Sequence, residues 1–328
     1  MLAMAWALAG VMGGCSPAGG YLIRAVPADQ TLTESVVHQD DGLWLPKVAI
    51  VDVDGLIVNA RAGGLFGDGE NPVSLLLEKL DKARHDPRVR AVVLRINSPG
   101  GTVQASETMY GLVQRFRHES GKPLIACITD VGASGGYYVA CAAPKIICQP
   151  TTITGSIGVI IQSVDFVGTM KLIGIRADAI TSGEMKGMGS PFKTMTEQER
   201  ALFQVMVNEF YDQFIKVVAE GRPALGAEKA RALADGRVYT GLQAHKLGLV
   251  DQLGTVTDAV AEAKKLAGID KARTVLYHRP LGYRGNVYAQ SPVTGGMQVN
   301  LLNVQADDLS LLRRPAFLYL WSTDLHAQ

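Results

Sequence analysis

The feature that most constrains this chain is a pattern that recurs along its first half: an apolar, β-branched run, then a turn, then a stretch with apolar residues at helical spacing. Residues 47–57, KVAIVDVDGLI, read as a strand. Residues 71–87, NPVSLLLEKLDKARHDP, open on Asn-Pro and carry apolar residues at helical intervals. Residues 90–101, RAVVLRINSPGG, form a buried-type strand that runs into a Pro-Gly-Gly turn, and TVQASETMYGLVQRFRHESGK follows as an amphipathic helix stopping near Gly121. Residues 123–131, PLIACITDV, are the next strand, with SGGYYVACAA as a short apolar helix behind it. Strands joined through helices pair in parallel, with the helices packed outside. The expected fold class is therefore α/β, with a parallel-sheet core and flanking helices.

Further along, KIICQP and SIGVII read as strands. Residues 195–222 read as a long helix whose Thr196, with Glu199 three positions on, makes a capping box. GAEKARALADG and TVTDAVAEAKKLAG read as two more helices. The pattern places one domain at 46–270, between a linker at 16–45 and an extension at 271–328 whose aromatic stretch RRPAFLYLWS has no assigned role. Residues 1–15, MLAMAWALAGVMGGC, are an uncharged apolar run, shorter than the roughly 20 residues that span a bilayer. This run reads as a signal, lipoprotein-like or anchor segment ending in Cys15, and it suggests the cell envelope. A buried helix and a misplaced start codon are the alternatives.

Of the 328 residues, 47% are hydrophobic and 19% charged, enough for a substantial core, and the formal net charge is +1. No basic tail or stripe points to nucleic acid. Cys127, Cys141 and Cys148 lack CxxC spacing and lie in apolar runs, so they read as buried thiols; no metal or cofactor is expected.

Chemistry concentrates at two glycine turns. In INSPGG, residues 96–101, a strand ends on a turn that can aim backbone N–H groups at one point, where they would bind a developing oxyanion. In GASGG, Ser134 sits between a strand and a helix, at the sheet edge where open α/β folds bind ligands, and it fits G-x-S-x-G. A nucleophilic serine needs a base. His245 and His278 stand downstream, but His245 lies in a helical stretch that reads as scaffold. A lysine can serve instead once it sheds its proton, which burial favours. Among Lys145, Lys171, Lys186, Lys193 and Lys216, Lys186 stands out in TSGEMKGMGSPF for its small and hydroxyl neighbours. The residues alone leave three readings open: a serine–lysine hydrolase, a Ser-His-Asp hydrolase, and an inactive scaffold.

INSPGG, GASGGYYVA, TTITGSIGV, TSGEMKGMGSPF and GRVYTGLQAHKLGLVDQLG resemble, in that order, the motifs of the SppA-type signal peptide peptidases in their short, single-domain form. The resemblance covers roughly residues 46–268. It implies a ClpP/crotonase-like fold and a serine–lysine dyad, with Ser134 as nucleophile and Lys186 as general base, 52 residues apart (186 − 134). It further implies backbone N–H donors at Gly101 and Gly135, and a supporting hydroxyl at Ser156 that contacts the lysine. The family's homo-oligomeric ring, commonly an octamer in the short form, would take serine and lysine from neighbouring protomers. It would be anchored in the membrane with the catalytic domain outside the cytoplasm. Its substrates would be the remnants of cleaved signal peptides and other short or unfolded chains. Two features depart from that family: the short N-terminal apolar run, and the tail after about 272, which carries no family motif.

Overall fold

The computed structural model describes residues 31–60, 70–280 and 317–321. Along the chain, β1 (Thr33–Gln39) and β2 (Lys47–Asp54) precede α1 (Pro72–His85). Then come β3 (Val89–Ser98), β4 (Gly100–Thr102), α2 (Val103–Ser120), β5 (Leu124–Ala133) and α3 (Gly135–Ala140). β6 (Ile146–Cys148), β7 (Ile153–Gly155) and β8 (Ile160–Ile161) lead to α4 (Val167–Leu172), a 3-10 turn (Glu184–Gly187) and α5 (Glu197–Gly221). The remaining elements are α6 (Gly226–Ala232), β9 (Val238–Thr240), α7 (Gly241–Leu247), β10 (Gln252–Leu253), α8 (Val256–Leu266), β11 (Arg273–His278) and β12 (Phe317–Leu320).

The main sheet runs β1-β11-β2-β3-β5-β6-β10. Every pairing on this path is parallel except β1 with β11. β5 serves two partners: Ala126–Ile128 pairs with β6, and Val131–Ala133 pairs with β7. β9 adds antiparallel to β7. The expected parallel α/β core is thus present, and its strands read as unbroken apolar runs because both faces are covered. Val48, Ile50, Ala91, Val93, Ile125 and Cys127 pack toward α8, through its Val256, Ala259, Val260 and Ala263. The alternate residues Ala49, Val51, Val92, Leu94 and Ile96 join Leu76, Met109, Val113, Tyr137, Phe214 and Val218 from the helices of the opposite face. Each such large side chain fully withdrawn from water contributes roughly 1.5–3 kcal/mol.

The helix ends follow their local chemistry. The Asn71 side chain accepts from the N–H groups of Val73 and Ser74, with Pro72 in the first turn. Gly121, at φ 62, closes α2 in a left-handed cap. The capping box of Thr196 and Glu199 forms as expected.

Two expectations about extent differ from what is seen. Residues 33–39, inside the stretch read as linker, form β1, and they pair with β11, which lies beyond 270. This edge strand is half-exposed and its partner is about 240 residues away, so local pattern carries no trace of the pairing. The extension at 271–328 supplies both β11 and β12. β12 belongs to a second, three-stranded sheet of order β4-β12-β8, antiparallel throughout. The apolar run at 1–15, with Cys15, lies outside the described residues. Among those described, no helix is long and apolar enough to cross a membrane.

Candidate active site

The Pro-Gly-Gly turn is built from main-chain contacts. Ser98 Oγ donates to Gly55 O at 2.6 Å and accepts from Gly100 N–H at 3.1 Å. Gly100 has φ 104, a conformation that side chains rarely adopt, and a Cβ there would stand 2.7 Å from Gly135 N. A Cβ on Gly101 would collide with Ile57 O. Ile57 N–H donates to Gly100 O at 2.8 Å, and Thr102 N–H donates to Ile57 O at 2.9 Å, which pins the turn from one side.

Ser134 stands where β5 passes into α3. Its N–H donates to Gly155 O at 2.7 Å, and its own carbonyl accepts from Tyr138 N–H at 2.9 Å. The side chain is 1% exposed and makes no capping hydrogen bond to the helix. The backbone is at φ 52, ψ −115. Ser134 and Ser156 (φ 49) are the two non-glycine residues with positive φ among the described residues. Such a conformation costs on the order of 1–3 kcal/mol and persists only where the surroundings enforce it. The enforcement here is tight packing. A Cβ on Gly136 would press into Ser98 O, and one on Gly135 into the Ser106 hydroxyl, so the serine turn and the Pro-Gly-Gly turn lie backbone against backbone. Tyr137 anchors α3 from beneath, its hydroxyl donating to Leu249 O at 2.7 Å.

Ser156 follows β7, whose Gly155 lies opposite Ala133 of β5. It is 7% exposed, and its N–H donates to Arg237 O at 2.8 Å. The fold therefore gathers Gly100, Gly101, Ser134, Gly135 and Ser156 at the ends of neighbouring strands.

It does not bring Lys186 there within one chain. Lys186 lies in the 3-10 turn Glu184–Gly187, exposed, and no hydrogen bond joins it to Ser134. The histidines offer no substitute. His245 is exposed on α7, and the His278 ring meets Ser35 Oγ at 2.8 Å and Thr33 Oγ1 at 3.3 Å at the sheet's β1 edge. Lys193 is engaged with the buried Glu199. Cys127, Cys141 and Cys148 are buried, and loss of water pushes each thiol up to about 12, so none is a nucleophile near neutral pH.

Sequence pattern gave no hint of β12, which runs along β4 with Tyr319 opposite Gly101. Its four residues, FLYL, are a continuous apolar run, too short to say what it pairs with.

Residues 117–270 match peptidase family S49. The chain is 37% identical over 217 residues to a protein of Methanocaldococcus jannaschii provisionally named a protease, covering 66% of this chain and 69% of that one. It is 33% identical over 238 residues to a protein of Enterococcus faecium provisionally named signal peptide peptidase SppA, covering 73% and 69%. A Synechocystis protein provisionally named a protease is 33% identical over 269 residues, covering 81% and 88%. The described core is the ClpP/crotonase-like α/β fold, and its strained serine stands against a glycine turn. With these relatives matched over two thirds of their length or more, the chain belongs to peptidase family S49 and is a serine peptidase of the SppA type.

Proposed function

We propose that this chain is an endopeptidase with a Ser134–Lys186 dyad completed between neighbouring copies. The observation that carries this reading is the left-handed Ser134, locked against the Gly100–Gly101 turn at the sheet edge. The hydroxyl of Ser134 attacks the carbonyl carbon of an extended peptide. The N–H groups of Gly101 and Gly135 hold the oxyanion, and Lys186 of an adjacent copy accepts the serine proton. That proton passes to the leaving amine. Water, deprotonated by the same lysine, then displaces the Ser134 oxygen from the acyl group, which leaves as a carboxylic acid that ionises in solvent, and the lysine returns its proton to that oxygen. Ser156, one strand-end away from Ser134, orients the incoming amine.

The segment that carries Lys186 supports assembly as a ring, an octamer in this reading. Phe166, Leu172, Ile173, Ile175, Ile180 and Phe192 are all exposed around it, apolar surface of the kind that a second copy covers. The substrates proposed are remnants of cleaved signal peptides and other short or unfolded chains. Apolar residues 1–15 would hold the enzyme at the membrane, with its catalytic domain outside the cytoplasm. The name of the Enterococcus faecium relative supports the substrate class, and the apolar composition of that run supports the placement.

The test is subunit mixing. Ser134→Ala and Lys186→Ala assemblies are each expected to be inactive on a leucine-rich reporter peptide. Unfolding and reassembling them together is expected to restore part of the activity. Full activity of Lys186→Ala alone, or no recovery on mixing, would overturn the shared dyad.

A further inference from the structure

β5 is the strand that delivers Ser134, and it does not run evenly along β3. Ile96 lies opposite Ile128 and Ser98 opposite Gly132, so one residue of β3, Asn97, faces three of β5, Thr129, Asp130 and Val131. Extra residues in one strand make a bulge, which bends that strand and leaves ladder groups to be met by other partners. The bend falls where β5 exchanges one neighbour for another. Before it, Ala126–Ile128 follow β6; after it, Val131–Ala133 follow β7 and end on Ser134. Gly132 suits the bend, because a Cβ there would collide with the Ile128 side chain.

Side chains stand in for the interrupted ladder. The Thr129 hydroxyl donates to Ile96 O at 3.3 Å, and Thr152 Oγ1 donates to Thr129 O at 2.5 Å. From β7, Thr154 Oγ1 donates to Gly132 O at 2.7 Å. From β3 the partner is Asn97. Its carbonyl is turned toward β2, accepting from Gly55 N–H at 2.9 Å, so its side chain serves β5 instead: Oδ1 accepts from Val131 N–H at 3.3 Å. The other end of the amide donates to the carboxylate of Asp54, the residue opposite Asn97 on β2. An amide engaged at both ends turns over only by losing both bonds, so Oδ1 stays aimed at Val131. One side chain thus ties the end of β2 to a backbone group three residues before Ser134.

We propose that Asn97 is a positioning residue for the peptidase reaction: through Val131 it sets where β5 ends, and so where the Ser134 hydroxyl stands, with Asp54 fixing which way its amide points. It acts on the serine through the backbone and touches no substrate. Ser134 is strained at φ 52, so its place depends on what holds the strand leading into it. A nucleophile displaced by about an ångström loses on the order of a hundredfold in rate. The loss falls on kcat rather than on KM, because it is the reacting atom that moves. This inference rests on the peptidase reading of Ser134, and the experiment separates the two.

In the full-length protein, Asn97→Ala removes both hydrogen bonds and is expected to lower kcat on a leucine-rich reporter peptide by about thirtyfold, with KM within about twofold. Asn97→Asp keeps an acceptor for Val131 but sets a second carboxylate opposite Asp54, and is expected to lower kcat by about tenfold. Asp54→Asn keeps an acceptor for the Asn97 amide and is expected to lower kcat by about threefold at most. The exchanged pair, Asn97→Asp with Asp54→Asn, again sets a donor opposite a carboxylate and is expected to return kcat to within about threefold of the parent. A variant that merely unfolds shows no such return, so the pair decides the matter even where Asn97→Ala does not fold. Hydrogen exchange read by mass spectrometry over residues 128–135 is expected to quicken by about tenfold in Asn97→Asp and to slow again in the exchanged pair. Parental kcat in Asn97→Ala, or an exchanged pair no better than Asn97→Asp, overturns the proposal. The exchange pattern and its rescue, in a protein whose Ser134 neither takes up a fluorophosphonate nor supports hydrolysis, uphold the positioning and overturn the catalytic reading instead.

Discussion

The two halves of the proposed dyad sit in opposite environments. Ser134 is 1% exposed, in a strained conformation fixed by the main-chain hydrogen bond it donates to Gly155 of β7 and by glycines that leave no room for a side chain. Lys186 is exposed on a segment where Leu172 is 87% exposed and Ile180 is fully exposed. One half of the chemistry is preorganised inside the chain, and the other half waits on a surface. A nucleophile and oxyanion donors need positions held to a fraction of an ångström, which a rigid core supplies. A lysine base needs loss of water around its amine, and an exposed segment gains that only when something covers it.

The largest test of this contrast is Ser134→Ala. It is expected to reduce kcat by roughly ten-thousand-fold or more, with thermal stability little changed, since alanine keeps the Cβ and with it the backbone strain. A residual rate near that of the parent in a steady-state peptide assay would remove the serine from the mechanism. The surface half is probed next by Ile180→Asp with Leu172→Asp. The double variant is expected to lower activity by on the order of a hundredfold and to shift assembly toward single chains in analytical ultracentrifugation, while circular dichroism stays the same. A monomer that kept full activity would show that the exposed segment needs no neighbour.

A smaller effect is expected at the second strained residue. Ser156→Gly removes the hydroxyl while suiting the positive φ, so a fall in kcat of about tenfold with KM held would mark a positioning role rather than a loss of fold. Ser156→Thr, which keeps the hydroxyl, is expected to recover part of that rate.

The smallest effect lies away from the site, where β1 joins the sheet. Asp40 accepts from Ala272 N–H at 2.9 Å and from Lys264 Nζ at 3.0 Å, which hold its carboxyl down to about 2. A group depressed in the folded state contributes stability above its ordinary value near 3.8 and loses that contribution as pH falls toward 2. Asp40→Asn is expected to flatten the acid limb of the unfolding midpoint between about pH 4 and pH 2, and to leave activity at neutral pH intact. An unchanged acid limb would show that this carboxylate does not tie β1 down.

Much of the core was legible because its signals are local. The stretches 48–51 and 91–94 are continuously apolar, which already says that helices cover both faces of the sheet there. Asn71-Pro72, Gly121 and the Thr196–Glu199 box marked helix ends through side-chain and backbone chemistry within four residues. Ser134 was legible as a serine at a strand-to-helix turn. Its left-handed backbone was not, because that follows from Gly155 and the Pro-Gly-Gly turn pressing on it from other strands. The pairings of β1 and β12 are not legible for one reason: each strand is short, and each finds its partners more than 150 residues away.

By itself the sequence determined the parallel α/β core and the order of its motifs, and it singled out Ser134 and Lys186 as candidates. Periodicity, caps and turn glycines are written in neighbouring residues. Only the tertiary structure decided that two serines are strained side by side, that Lys186 is left on the surface, and that Tyr319 covers the glycine turn. These depend on distances between segments far apart in the chain, and those distances are set by packing rather than by local pattern.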